Sequence, residues 1–173
     1  DVYKRQVFAL IFFSFTGMAQ RITLSGSATI EPPKKFHKAQ KSEISSLVTK
    51  RFGKTKFLAR RIQDPDKVYL IDDIVILINS ASMPRTPNFL NDRKLGHDDT
   101  FQNDKSYSSK IEAISGKDVL IMDMILEGFK MYHFTTTNSS EDFVVTGFVQ
   151  YNPGEENKAR TVLEDLIKGL KFE

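Results

Sequence analysis

The chain contains neither cysteine nor tryptophan, and only three histidines. Without cysteine there is no disulfide framework, no thiolate nucleophile and no sulfur ligand, so disulfide-stapled scaffolds and cysteine-based zinc folds are excluded. The scarcity of histidine leaves soft-metal chemistry little to build on. No Gly-x-Ser-x-Gly elbow, phosphate loop, dinucleotide fingerprint or His-Glu-x-x-His occurs in the sequence. The familiar signatures of hydrolases, nucleotide binders and zinc proteases are therefore missing. Long hydrophobic runs are lacking too. A membrane-spanning helix needs about 20 apolar residues, and only the run from Val7 to Phe15 comes near it.

That run has the form of an export signal. Lys4 and Arg5 precede it, and Gly17 and Ala19 follow it with the small-x-small pattern a signal peptidase reads. Cleavage is expected between Ala19 and Gln20, which would deliver a periplasmic or secreted bacterial protein that does not span the membrane. The chain begins without Met, and Asp1–Gln6 reads as a sequencing-adaptor scar ahead of a signal peptide over 7–19. Residues 20–173 then form one α+β domain, large enough to be held by its core without disulfides.

The net charge of +3 conceals a strong asymmetry. Lysines and arginines crowd the stretch from Lys34 to Arg61, whereas acids outnumber bases beyond it. A basic stretch suits anionic partners. Export makes nucleic acid an unsuitable one, leaving an envelope protein or an anionic envelope component. Lys50, Arg51, Lys54 and Lys56 are the candidate contact residues in this stretch, with Tyr132 as a further binding candidate.

Arg21–Ile30 reads as one edge strand stopped by Pro32-Pro33. Ile44, Leu47, Val48 and Phe52 recur at helical spacing, predicting a helix over Ser42–Phe52 with Ser42 as its cap and Gly53 as its stop. Lys56–Ile62 is a further short segment. Val68–Asn79 reads as a single strand buried on both faces, with a bulge at Asp72-Asp73 turning a carboxylate outward. Residues 80–106 read as a polar loop holding one short helix at Asn88–Lys94.

Four strands follow, over Ser109–Ile114, Val119–Leu126, Phe129–Thr136 and Phe143–Tyr151, separated by turn residues in an antiparallel meander. A two-residue turn at Glu127-Gly128 would set Leu126 opposite Phe129, Met122 opposite His133 and Asp123 opposite Tyr132. Both faces of that hairpin are apolar, so the sheet needs a covering layer on each side. Asn152-Pro153-Gly154-Glu155 reads as the start of a closing helix. Its apolar stripe is Ala159, Val162, Leu163, Leu166, Ile167 and Leu170, with Glu156/Arg160 and Glu164/Lys168 as outer pairs.

From about Val68 onward the chain resembles the PsbP-like superfamily. The features that carry the likeness are the buried strand, the Phe89-Leu90 helix, the strand entering Gly116-Lys117, the Met131-Tyr132-His133-Phe134 cluster and the closing helix. The resemblance implies an antiparallel β-sheet between helical layers, an α/β/α sandwich. It also implies a role in binding or assembly, since such proteins serve as extrinsic photosystem subunits, GTPase-associated factors or envelope accessories. Fold analogy alone does not choose among these roles.

Two readings of function follow. The first is an exported, non-catalytic binding or assembly-accessory protein of the bacterial envelope, which predicts a groove lined by aromatic and basic groups. The second is a metal-dependent hydrolase built around His97, Asp98 and Asp99 with Asp104, where a hard cation such as Ca²⁺ would find oxygen ligands. The loop lacks the spacing and fixed glycine of a calcium loop, and the binding reading is favoured. No cofactor is expected, and no catalytic residue is assigned. Asp123 and His133 fall on opposite faces of the hairpin and cannot act as a pair.

Overall fold

The computed structural model describes residues 21–25, 27–52, 68–126 and 129–173. The expected signal peptide, Gly53, Lys54, Lys56, the 56–62 segment and the Glu127-Gly128 turn lie outside the described residues.

The first strand expected over Arg21–Ile30 is instead two: β1 (Ile22–Ser25) and β2 (Ala28–Ile30). They pair antiparallel, and the last strand of the chain, β10 (Leu170–Phe172), adds to the other side of β2. Small residues on both sides of the bend made one long strand and a hairpin look alike in the sequence. After β3 (His37–Lys38) comes α1 (Lys41–Phe52). Its start is fixed by Glu43, whose carboxylate accepts from the Gln40 backbone N–H at 2.8 Å. Ser42 therefore lies inside the helix, and the reciprocal side-chain contact from the first turn satisfies the orphan donor.

The run from Val68 is likewise two strands, β4 (Val68–Ile71) and β5 (Ile74–Ser82). Ile71 faces Ile74 across a tight turn made by Asp72 and Asp73, with Asp72 at φ 50. Aspartate tolerates this left-handed conformation better than a β-branched residue does. The expected bulge is thus a hairpin turn, and it puts Asp72 in solvent without any interruption of a buried strand.

The polar segment hides a longer helix than Asn88–Lys94: α2 spans Phe89–Phe101. Then come β6 (Ser108–Ile114), β7 (Lys117–Leu126), β8 (Phe129–Thr137) and β9 (Phe143–Tyr151). The Ser115-Gly116 turn has positive φ at both residues, as a two-residue hairpin matching the strand twist requires. The β7–β8 register sets Leu126 opposite Phe129, Met122 opposite His133 and Asp123 opposite Tyr132, as predicted.

The closing helix, α3 (Glu156–Gly169), starts three residues later than the Pro153 opening expected. Gly154 at φ 91 turns the chain, and the Asn152 amide donates to Glu155 at 2.8 Å, so this capping motif forms a turn ahead of the helix. Its outer pairs also differ from those expected. Glu156 binds Lys130, while Arg160 bridges Glu112 and Glu164.

The described strands make two sheets, a seven-stranded one ordered β3-β4-β5-β9-β8-β7-β6 and a three-stranded one ordered β1-β2-β10. Every pairing among them is antiparallel. One face of the large sheet (Ile76, Val119, Ile121, Phe134, Val149) packs on the stripe of α3 and on the small sheet. The opposite face meets α2 through Leu90, Leu120 and Met122, and meets α1 near Ala39, Val68 and Leu70. The chain is an α+β fold, an antiparallel sheet flanked by helices and ending in a helix, with both apolar sheet faces covered.

One contact is especially tight. A Cβ at Gly147 would lie 2.3 Å from the Leu77 carbonyl oxygen and 2.7 Å from the Phe134 ring. Phe134 is 1 % exposed, so the ring has nowhere to retreat. Gly147→Ala should destabilise the domain by about 2–3 kcal/mol through overpacking, measured as a lower urea midpoint at unchanged slope.

Candidate functional site

The basic stretch builds a groove at its N-terminal end. Pro32 and Pro33 stop β2, and the chain turns through Lys34 and Lys35, the latter at φ 67. The Phe36 N–H donates to the Pro33 carbonyl at 3.2 Å, closing that turn. His37 and Lys38 then lay a two-residue strand along β4, with Lys38 opposite Tyr69. The Phe36 ring thereby stacks on Tyr69, with centroids 4.7 Å apart and planes 22° apart. The resulting groove, about 550 Å³, is lined by both rings, both prolines, Ile22 and the cationic side chains of Arg21, Lys34, Lys35 and Lys38, with His37. No carboxylate lines it among the described residues.

Carboxylates outside the lining brace the groove's cations. Asp72 accepts from Lys158 at 2.9 Å and from Lys35 at 3.4 Å, and these two hydrogen-bonded cations, Lys158 foremost, lower its pKa. This ties the turn of β4–β5 both to the groove and to α3. Glu31 bridges Arg21 at 3.0 Å and Lys171 at 2.7 Å. His37 places Nδ1 3.1 Å from the Lys35 carbonyl and Nε2 3.1 Å from Glu43. Acceptors at both ring nitrogens favour the doubly protonated imidazolium, and the His37 pKa is raised accordingly, first by the Lys35 carbonyl and then by Glu43. Lys34 is exposed and has no partner among the described residues.

The expected cation cluster is dispersed by α2. Asp98 points at β6 and its approach, accepting from Tyr107 at 2.8 Å and from Ser109, with Lys94 on its other oxygen. These partners, Lys94 first and Ser109 next, hold its carboxyl down at about 2 despite partial burial. Asp99 is exposed, and Asp104 binds Ser106 in the following turn. The His97 ring stacks on Phe101 and meets the edge of His133, with centroids 6.0 Å apart. Burial lowers the His97 pKa, aided by the nearby Arg93. Among the described residues no three His, Asp or Glu side chains could hold a metal ion together. Asp98 acts instead as the bolt between α2 and the sheet, which is why so polar a segment stays helical.

His133 is a buried structural histidine, stacked on Phe148 and 2.9 Å from the Thr146 hydroxyl. Asp123 lies on the opposite face, where it accepts from Tyr151 at 3.2 Å. Tyr132 is 9 % exposed and packs against Tyr151, so it sits in the core and not in the groove. The backbones of Lys50 and Arg51 form the last turns of α1, and Lys54 and Lys56 lie outside the described residues. Phe36 and Tyr69 were missed as site residues. Phe36 carried a readable signal, an aromatic set among Lys34, Lys35, His37 and Lys38. Tyr69 carried none, being one ring in an apolar strand.

No family model matches the sequence, and no curated protein does. Among solved structures, a protein from Bacteroides thetaiotaomicron VPI-5482 aligns with a TM-score of 0.52 at 11% identity, covering 90% of this chain and 49% of that one. This chain thus spans about half the length of that Bacteroides protein. The solution structure of cyanobacterial PsbP (CyanoP) from Synechocystis sp. PCC 6803 aligns with a TM-score of 0.49 at 10% identity, covering 91% of this chain and 95% of that one. At such identities the Bacteroides likeness speaks to the fold alone: an antiparallel sheet flanked by helices.

Two outcomes test the electrostatics. Asp98→Ala should speed amide exchange in α2 and lower the melting temperature. Because the folded pKa is depressed, the difference from wild type is full above about pH 4, the ordinary carboxyl range, and vanishes as pH falls through about 2. His37 has the opposite sign. Its raised folded pKa means that its contribution is present below the ordinary histidine value and lost as pH rises through the raised one. An NMR titration should show His37 ring signals moving at higher pH than in a Glu43→Gln variant.

Proposed function

We propose that this chain is an exported, non-catalytic binding or assembly-accessory protein of the bacterial envelope, of PsbP-like type, that engages an anionic partner through the Phe36–Tyr69 groove. The observation that carries this reading is the composition of the groove wall, aromatic and cationic together with no carboxylate among the described residues. A wall of one sign recruits opposite charge and speeds encounter, while the rings supply apolar contact area. Its volume falls within the range of about 300–1,000 Å³ usual for ligand sites.

Further support comes from the fate of the alternative. Of the carboxylates that would have served a hydrolase, Asp98 is taken up by Lys94, Tyr107 and Ser109 and Asp104 by Ser106, while Asp99 joins no metal-holding cluster among the described residues. Export rests on the residue 7–19 pattern, and the described helices include none long and apolar enough to cross a membrane. The PsbP-like assignment draws on the order of elements from Val68 to Phe172.

Retention on washed envelope fractions is the test. Lys34→Ala with Lys38→Ala should release the protein at lower salt than wild type, because fewer ion pairs hold it. The Lys50, Arg51, Lys54, Lys56→Ala variant measures whether the basic surface extends beyond the groove. Unchanged retention in both variants would end the anionic-partner reading. A signal-sequence reporter fused after Gln20 that stays in the cytoplasm would end the export reading.

A further inference from the structure

The groove has more character than a positive patch, and its surroundings narrow what can occupy it. A lipid surface would need apolar side chains free to enter the acyl region. Among the described residues the exposed large hydrophobics are Leu95 on α2 and Ile125 on β7, neither of them in the groove. A peptide added as a strand would need a long open edge with a row of backbone donors. The edge here is β3, two residues long, and two prolines without N–H groups precede it. Recognition must then come from side chains: stacked rings for a ring-shaped apolar face, and ammonium groups for anions around it.

Resting on the proposed anion-binding role, we infer that the groove is a binding site for an acidic glycan. A pyranose ring lies against the Phe36–Tyr69 pair, and carboxylate or phosphate substituents pair with Lys34 and its cationic neighbours. The C–H faces of a sugar bury apolar area on aromatic rings, as ligand sites lined by aromatics commonly arrange. Lys34 has no partner among the described residues, so it meets an anion without breaking an ion pair with any of them. Lys35 shares Asp72 with Lys158, and the 3.4 Å separation makes it the looser of the two contacts. It can turn toward a ligand while Lys158 keeps Asp72 neutralised. Whether the anion is a uronate or a phosphate on the glycan is open to the same chemistry.

Titration calorimetry on the full chain, with three probes, separates the outcomes. These are an oligogalacturonate, a neutral oligosaccharide of equal length and inorganic polyphosphate. The oligogalacturonate should bind at least tenfold more tightly than the neutral chain. Lys34→Glu should weaken that binding at least tenfold, and the position is exposed, so the change leaves the core untouched. Phe36→Leu keeps apolar packing but removes the ring; it should weaken the glycan at least fivefold while leaving polyphosphate within twofold. If polyphosphate binds and the oligogalacturonate does not, or if Phe36→Leu weakens all anions alike, the glycan inference fails and the anion-binding role stands. If no anionic probe binds, both fall.

Discussion

The large sheet has no polar face, and most of the architecture follows from that. On each strand of the β7–β8 hairpin, odd and even positions are both apolar, so exposure of either side to water would cost several buried side chains at roughly 25 cal/mol per Å². Helix α3 and the small sheet cover one side, while α1 and α2 cover the other. The two coverings use different means. Helix α3 relies on a continuous apolar stripe from Ala159 to Ile167, and the last strand continues it at Leu170. Helix α2 buries only Leu90 fully and holds its C-terminal half down with the Asp98 hydrogen bonds to Tyr107 and Ser109.

Charge does a separate job at the other edge. Asp72, Glu31 and Glu43 do not face the groove, yet each fixes cations that border it. Exposed pairs of this kind add little to stability individually, with a median of about 0–1 kcal/mol. Their value here is positional. They hold cationic side chains around the Phe36–Tyr69 stack without lining the groove themselves, so the wall presents one sign to an incoming ligand.

How much of this could be read from the residues depended on whether a signal was local. The α3 stripe repeats every three or four positions, and the β7–β8 register follows from a short turn between paired runs; both were legible. The Asp72 turn was not, because Val68–Ile71 and Ile74–Ile78 are each apolar on both faces and read across Asp72-Asp73 as one long strand. Helix α2 was half legible. Its sequence from Leu95 to Phe101 contains Gly96, Asp98, Asp99 and Thr100, poor helix formers that tertiary contacts override. The groove was the least legible feature: its charge was plain in Lys34–Lys38, but its second ring arrives from Tyr69 through β3–β4 pairing, a contact no local pattern encodes.

The pairing of β2 with both β1 and β10 has a temporal consequence. Ala28, Thr29 and Ile30 are among the first described residues, and they acquire their second neighbour only from Phe172, Lys171 and Leu170. The Glu31 N–H donates to the Gly169 carbonyl, and the Glu31 carboxylate binds Lys171, in the same closure. Contacts across so great a sequence separation form slowly, because loop-closure entropy precedes any gain. The small sheet therefore closes only once β10 is present, with one edge of β2 unpaired until then. Under the export proposed above, in which the chain crosses a membrane before folding, such late locking would be an advantage.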